Sequence, residues 1–165
     1  GFEPYMKERK AVGLPIYNDI NDALVSSGSG FGLVTLFETI EHLSEDELLT
    51  FLKLCDRVLL QNGSILISAP IEIGPGLILK ELNRSILRLK IPEHRLMEFI
   101  GAAIFGKPAR RADDIKSSHK GFDFRQSIRF IKSNGWAVKI IGYGPIPLNH
   151  WYGNSQVFLT CTKRG

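Results

Sequence analysis

The chain has 165 residues, 44% hydrophobic and 23% charged, the composition of one ordinary globular domain long enough for a real core rather than a disordered or fibrous chain. No apolar run approaches the ~20 residues that cross a bilayer and no signal-peptide pattern opens the chain, so the cytoplasm is the default expectation. The net charge of +4 is uneven: between Lys80 and Lys120 stand ten Lys or Arg against five Asp or Glu, which makes that segment +5 and the remainder about −1.

From the N-terminus, Glu3-Pro4 to about Val12 predicts a turn into a helix, and Leu14 to Asp19 a short strand. A short helix over Ile20–Ser26 leads to the loop Ser26-Ser-Gly-Ser-Gly30. Gly32–Phe37 is an unbroken apolar run, as expected of a strand covered on both faces. Ser44-Glu-Asp-Glu47 is a capping box, and Leu48, Leu49, Leu52, Leu54 and Leu59 follow at mostly helical spacing, with Asn62-Gly63 as the predicted stop. Ser64–Ala69 is a second buried strand, ending at Pro70. Cys55 and Cys161 fall in core elements, where thiols act as small apolar filler in a reducing compartment.

After Pro70 the alternation breaks. Leu77–Leu89 predicts a helix with Ile78, Leu79, Leu82, Ile86 and Leu89 on one face and Lys80, Arg84 and Arg88 opposite; Leu77 and Leu87 fall off the apolar stripe, which favours partner or membrane contact. Pro92 separates it from a second helix reaching about Phe105, and a polar, basic loop runs to Lys120. Phe124–Ser133 is a helix closed by Asn134-Gly135. Trp136–Tyr143 and Gln156–Cys161 are strands joined by the long loop Gly144–Ser155. The expected fold is therefore α/β: a Rossmann-like, doubly wound, mainly parallel sheet with an antiparallel last strand. Residues 1–165 form a single domain, with 71–120 as an inserted helical cap.

Four segments taken in order resemble class I S-adenosylmethionine-dependent methyltransferases of type 11/23: Gly1-Phe-Glu-Pro4, Phe31–Leu43, Asn62–Pro70 and His119–Gly135. The resemblance covers nearly the whole chain except parts of the cap. It implies transfer of a methyl group from S-adenosylmethionine to an oxygen or nitrogen of a small molecule, sugar or lipid precursor. Relative to that family the first strand and its glycine-rich loop are missing, leaving two central strands without a ladder partner. The expectation is that a longer natural protein carries them and that this stretch alone is inactive. Ser27-Gly-Ser-Gly-Phe-Gly32 does not replace the loop, because it precedes a strand instead of opening a helix.

The resemblance also implies site residues. Glu3, beside Pro4, stands where the family binds the cofactor's ribose hydroxyls; a turn carboxylate is the alternative. Asp19 and Ile20 stand where it binds adenine, and Asp19 serves equally as an N-cap. The main chain at Phe37 and Glu38 lines the methionine end. Glu38, Glu41 and His42 close the apolar run at the carboxyl edge of the sheet. Similar patterns in a minority of the family, the small-RNA 2′-O-methyltransferases among them, bind a divalent metal through Glu-x-x-Glu-His and a later His. Here that set is Glu38, Glu41, His42 and His119, and it would acidify an acceptor hydroxyl. Without metal, His42 or His119 is the candidate catalytic base.

The face with Lys80, Arg84 and Arg88 reads three ways: a solvated surface, a lid over an anionic or phosphorylated substrate, or transient contact with a membrane surface. Pro145, Pro147, Trp151, Tyr152 and Asn154 either line a substrate mouth or plug the fold. The basic segment from Lys80 to Lys120 lacks the clustered aromatics that single-stranded nucleic acid favours, which argues against an RNA acceptor. The competing function is a non-catalytic, methyltransferase-like binding or scaffold module.

Overall fold

The computed structural model describes residues 20–78, 96–111, 114–116, 119–146 and 149–164. Among these, α1 (Ile20–Ser27) precedes β1 (Phe31–Phe37), a 3₁₀ turn (Ile40–His42), α2 (Glu45–Val58) and β2 (Leu59–Pro70). Then come α3 (Leu96–Phe105), α4 (Phe124–Ser133), β3 (Trp136–Gly144), a second 3₁₀ turn (Trp151–Gly153) and β4 (Gln156–Lys163). The sheet order is β1-β2-β4-β3. β1 and β2 are parallel, while β4 is antiparallel to both β2 and β3. Only the final strand therefore runs against the others among the described residues, as its hairpin-like link to β3 without an intervening helix implies.

One face of the sheet makes the core. Ile65 and Ile67 of β2 and Val157, Leu159 and Cys161 of β4 meet Leu48, Leu52 and Cys55 of α2 and Phe124 and Ile131 of α4. Burying each such aliphatic side chain contributes about 1.5–3 kcal/mol. Both cysteines are free and buried, as the sequence reading has them. α2 starts with the anticipated capping box: Glu47 N–H donates to Ser44 Oγ, and Ser44 N–H donates to the Glu47 carboxylate.

Its end differs from the expectation. The helix stops at Val58, and β2 begins at Leu59 rather than Ser64. Asn62-Gly63 lies in a register irregularity, since the pairing jumps from Phe31↔Leu59 to Leu33↔Ser64. A Cβ on Gly63 would stand 2.9 Å from the Phe31 carbonyl oxygen, so close strand approach, not a helix stop, requires that glycine. A second correction concerns Leu77, which is 0% exposed and belongs to the interior, not to a partner-facing surface. The fold there is tied by Gly74 N–H donating to the Ala102 carbonyl of α3 at 2.8 Å.

Glu3, Pro4, Asp19, Lys80, Arg84, Arg88 and Pro147 lie outside the described residues, and Ile20 opens α1 without a described side chain. The loop Gly28–Gly30 joins α1 to β1, with positive φ at both glycines. A Cβ on Gly30 would stand 2.8 Å from the Val58 carbonyl, so this glycine serves packing ahead of a strand.

Candidate functional site

β1 delivers its last residue, Phe37, to the carboxyl edge of the sheet, where open α/β folds place ligands. Glu38 then takes a left-handed conformation at φ +46, an uncommon one for a residue with a Cβ. Its N–H donates to Ser68 Oγ at 3.1 Å and lies 3.3 Å from the Ser68 carbonyl. Its carboxylate accepts from Ser68 Oγ at 3.1 Å and from Gln156 Nε2 at 2.9 Å. Glu38 thereby ties the ends of β1, β2 and β4 together. The Phe37 ring stays half exposed beside it.

The turn at Glu38 sends the chain into the 3₁₀ turn that carries Glu41 and His42. Glu41 is 0% exposed, and neither carboxylate oxygen has a hydrogen-bond partner among the described residues. His42 Nε2 lies 3.8 Å and His119 Nε2 3.7 Å from Glu41 Oε1, and the two imidazole nitrogens are 3.1 Å apart. Among the described residues, Glu41, His42 and His119 can present ligand atoms within 4.8 Å of one another. Of the four residues anticipated for a metal, Glu38 is the one whose carboxylate is engaged elsewhere, on Ser68 and Gln156.

The electrostatics follow from burial. Desolvation pushes the Glu41 carboxyl above its ordinary value; nearby Glu38 pushes the same way, while its own backbone amide, His42 and Arg111 oppose it. That leaves a desolvated acid with two imidazoles and no donor bound, a costly arrangement for a purely structural site. A divalent ion fits the donor set. Donors held at about 2.1 Å from one ion stand about 3.0–3.4 Å apart, near the distances found here. One carboxylate with two imidazoles also suits a first-row transition ion.

His42 is oriented for such a role. Its Nδ1 lies 2.8 Å from the Ile115 carbonyl, which can only accept, so Nδ1 carries the proton and Nε2 offers its lone pair to the cluster. Arg111 is the functional residue that the sequence reading passed over as one cation of a basic loop. Its guanidinium donates to the Lys120 carbonyl at 3.2 Å and to the Glu41 carbonyl, bridging the two segments that carry the ligands. Gly121, at φ +74, lets the loop pass against Ala109 and Arg111, where a Cβ would come within 2.6 Å of the Ala109 carbonyl. A hydrophobic pattern cannot show this clasp, because it joins residues 70 apart through backbone acceptors.

A cavity of about 370 Å³ opens next to the cluster, with Glu41, Ser44, Arg111, Phe122 and Gln126 in its wall. Its size is that of a small-ligand pocket. The late loop, by contrast, is packed: Asn154 is 0% exposed, accepts from Ile146 N–H at 2.8 Å and donates to the His150 carbonyl at 2.9 Å. Asn154 and Trp151 therefore serve the plug reading, with the Arg125 guanidinium 5.8 Å over the Trp151 ring. Pro145 and Tyr152 are on the surface. No helix among the described residues is long and apolar enough to cross a membrane.

No protein-family model and no curated protein matches the sequence. Solved structures do show similarity. A crystal structure of the small RNA methyltransferase HEN1 superposes with a TM-score of 0.43 at 16% identity, over 83% of this chain and 14% of that one. PKMT2 from Rickettsia typhi gives 0.44 at 11% identity, over 83% of this chain and 36% of that one. The same protein in complex with AdoHcy gives 0.43 at 13% identity, over 86% and 38%. The chain thus spans well under half the length of each of these structures.

Proposed function

We propose that this chain is part of an S-adenosylmethionine-dependent methyltransferase of type 11/23 character that methylates an oxygen of a small molecule, sugar or lipid precursor. The observation that carries the reading is the convergence of a buried, unpartnered carboxylate and two imidazole nitrogens at the carboxyl end of β1. S-adenosylmethionine supplies the methyl group, so the protein has to align the acceptor and take its proton. By their chemistry, the half-exposed Phe37 and the Glu38 carboxylate suit the sulfonium and ammonium end of that cofactor.

Glu41, His42 and His119 would hold a divalent cation, which lowers the pKa of a bound hydroxyl. The Ile115 contact keeps the Nε2 lone pair of His42 toward Glu41 and His119, where it would meet the cation. Arg111 fixes the backbone of Glu41 against that of Lys120, so the two halves of the site keep their spacing. The neighbouring cavity is sized to receive a small acceptor. An oxygen acceptor suits this reading, because a bound cation would acidify a hydroxyl and leave the oxygen as nucleophile.

The test is methyl transfer from labelled S-adenosylmethionine by the full natural protein, with Mn²⁺ or EDTA, offered sugar, lipid-linked and RNA acceptors. The expected result is transfer with Mn²⁺ that falls at least about a hundredfold in EDTA and in His119→Ala. Equal transfer in EDTA would contradict the cation and leave a histidine base. No binding of S-adenosylmethionine would favour the scaffold module instead.

A further inference from the structure

We propose that the exposed end of α3 docks this protein on an anionic lipid surface. Of the ten residues of α3 only Glu98 is charged. Its small-residue side faces inward: Ala102 and Ala103 are buried, and the Ala102 carbonyl accepts from Gly74. Ile104 and Phe105 project instead into solvent, 57% and 77% exposed. Tyr152, 45% exposed, extends the patch, its hydroxyl 3.5 Å from the Ile104 carbonyl. Gly106, at φ +60, turns the chain sharply after Phe105.

Cations follow at once. Lys107 and Arg110 are exposed, and between Phe99 and Ala112 the sequence holds three basic residues and no acidic one. Arg111, the third, is turned inward on Glu41 and Lys120, which leaves Lys107 and Arg110 as the rim. An apolar tip followed by two exposed cations matches an interface where side chains enter the acyl boundary and lysine or arginine meets lipid phosphate. Charge complementarity selects this occupant over a protein groove, because the exposed Lys107 and Arg110 follow the tip with no carboxylate between Phe99 and Arg111.

Docking there would also serve the site. Glu98 of α3 pairs with Lys120 at 2.9 Å, and Lys120 adjoins His119. The tip is thus joined through one helix to the loop that supplies a ligand. The inference stands apart from methyl transfer, because binding to vesicles is read without cofactor, cation or acceptor.

The experiment is co-sedimentation of the full chain with vesicles of phosphatidylcholine alone or mixed with phosphatidylglycerol. The expected result is binding to the anionic vesicles at least about tenfold stronger than to neutral ones. The double variant Ile104→Asp/Phe105→Asp should lose at least about tenfold. A second variant, Lys107→Gln/Arg110→Gln, should lose about tenfold and erase most of the salt dependence. Because its positions are exposed, it keeps the test decisive if the apolar variant fails to fold. Wild-type protein left in the supernatant, or both variants binding like wild type, would overturn the proposal. A concentration-dependent dimer abolished by Ile104→Asp/Phe105→Asp would overturn it too, in favour of a second copy as occupant.

Discussion

Glu41 concentrates the chemistry of this molecule in one side chain. Burial raises its pKa, so a carboxyl in this place favours folding when protonated and opposes it when ionised. Its stabilising contribution is complete below the unfolded value of 4.5 and is lost as pH rises through the higher folded value. Without added cation, Glu41→Gln should therefore melt higher than wild type at pH 8, by about 1–3 kcal/mol of unfolding free energy. Thermal melts at pH 4 and pH 8 check it: the gain belongs to the higher pH and should vanish at the lower. The same substitution should abolish stabilisation by divalent ions, so one residue moves the two measurements in opposite directions. The cysteines make a quieter case. Burial pushes both thiols up to about 12, so neither Cys55 nor Cys161 has a useful thiolate fraction at neutral pH. A thiol reagent at pH 8 should leave the native protein unlabelled and modify both residues in denaturant.

Elements show where the sequence was readable and where it was not. The capping box at Ser44, the helix over Phe124–Ser133 and the paired final strands all rest on local signals, namely cap residues, periodicity and turn glycines, and they stand where those signals put them. Asn62-Gly63 misled because a glycine can mark a helix stop or a tight strand crossing, and only the neighbour, here the Phe31 carbonyl, decides which. Leu77 misled for a related reason: its off-stripe position on a helical wheel says nothing about its burial, which is complete. Replacing Ser44 with Ala should cost about 1 kcal/mol, read as a shift in denaturant midpoint. Glu47 adds a pH signature. Its bond to Lys116, with the Ser44 cap, holds its carboxyl down to about 2, so its support for α2 is fully present above 4.5 and is lost as pH falls from there through about 2. Salt should weaken this exposed pair. Gly121→Ala tests the loop: a Cβ at φ +74, 2.6 Å from a carbonyl oxygen, forces the His119 segment to move. The expected loss is about 2 kcal/mol or more of stability, with divalent affinity falling alongside.

At the scale of the molecule, a mixed sheet, four-stranded among the described residues, places the Glu41–His42 turn at the carboxyl edge of a parallel pair. The edge was legible because an apolar run ending in Glu38, Glu41 and His42 is unusual for a strand that merely packs. His119 was legible only through family resemblance, since nothing in its own neighbourhood says that it meets His42 across 77 residues. The bond from Arg111 to Glu41 and the turn of Glu38 onto Ser68 were not legible at all, because backbone acceptors and left-handed turns leave no mark in a hydrophobic pattern. The central claim is that Glu41, His42 and His119 act together as a cation-binding centre. It is tested most directly by titrating Mn²⁺ into the wild-type protein and into His119→Ala while following thermal unfolding. Wild-type protein should gain about 2.7 kcal/mol at a hundredfold excess over its dissociation constant, and the variant should gain little or nothing at the same concentration. Indistinguishable curves for the two proteins would contradict the account.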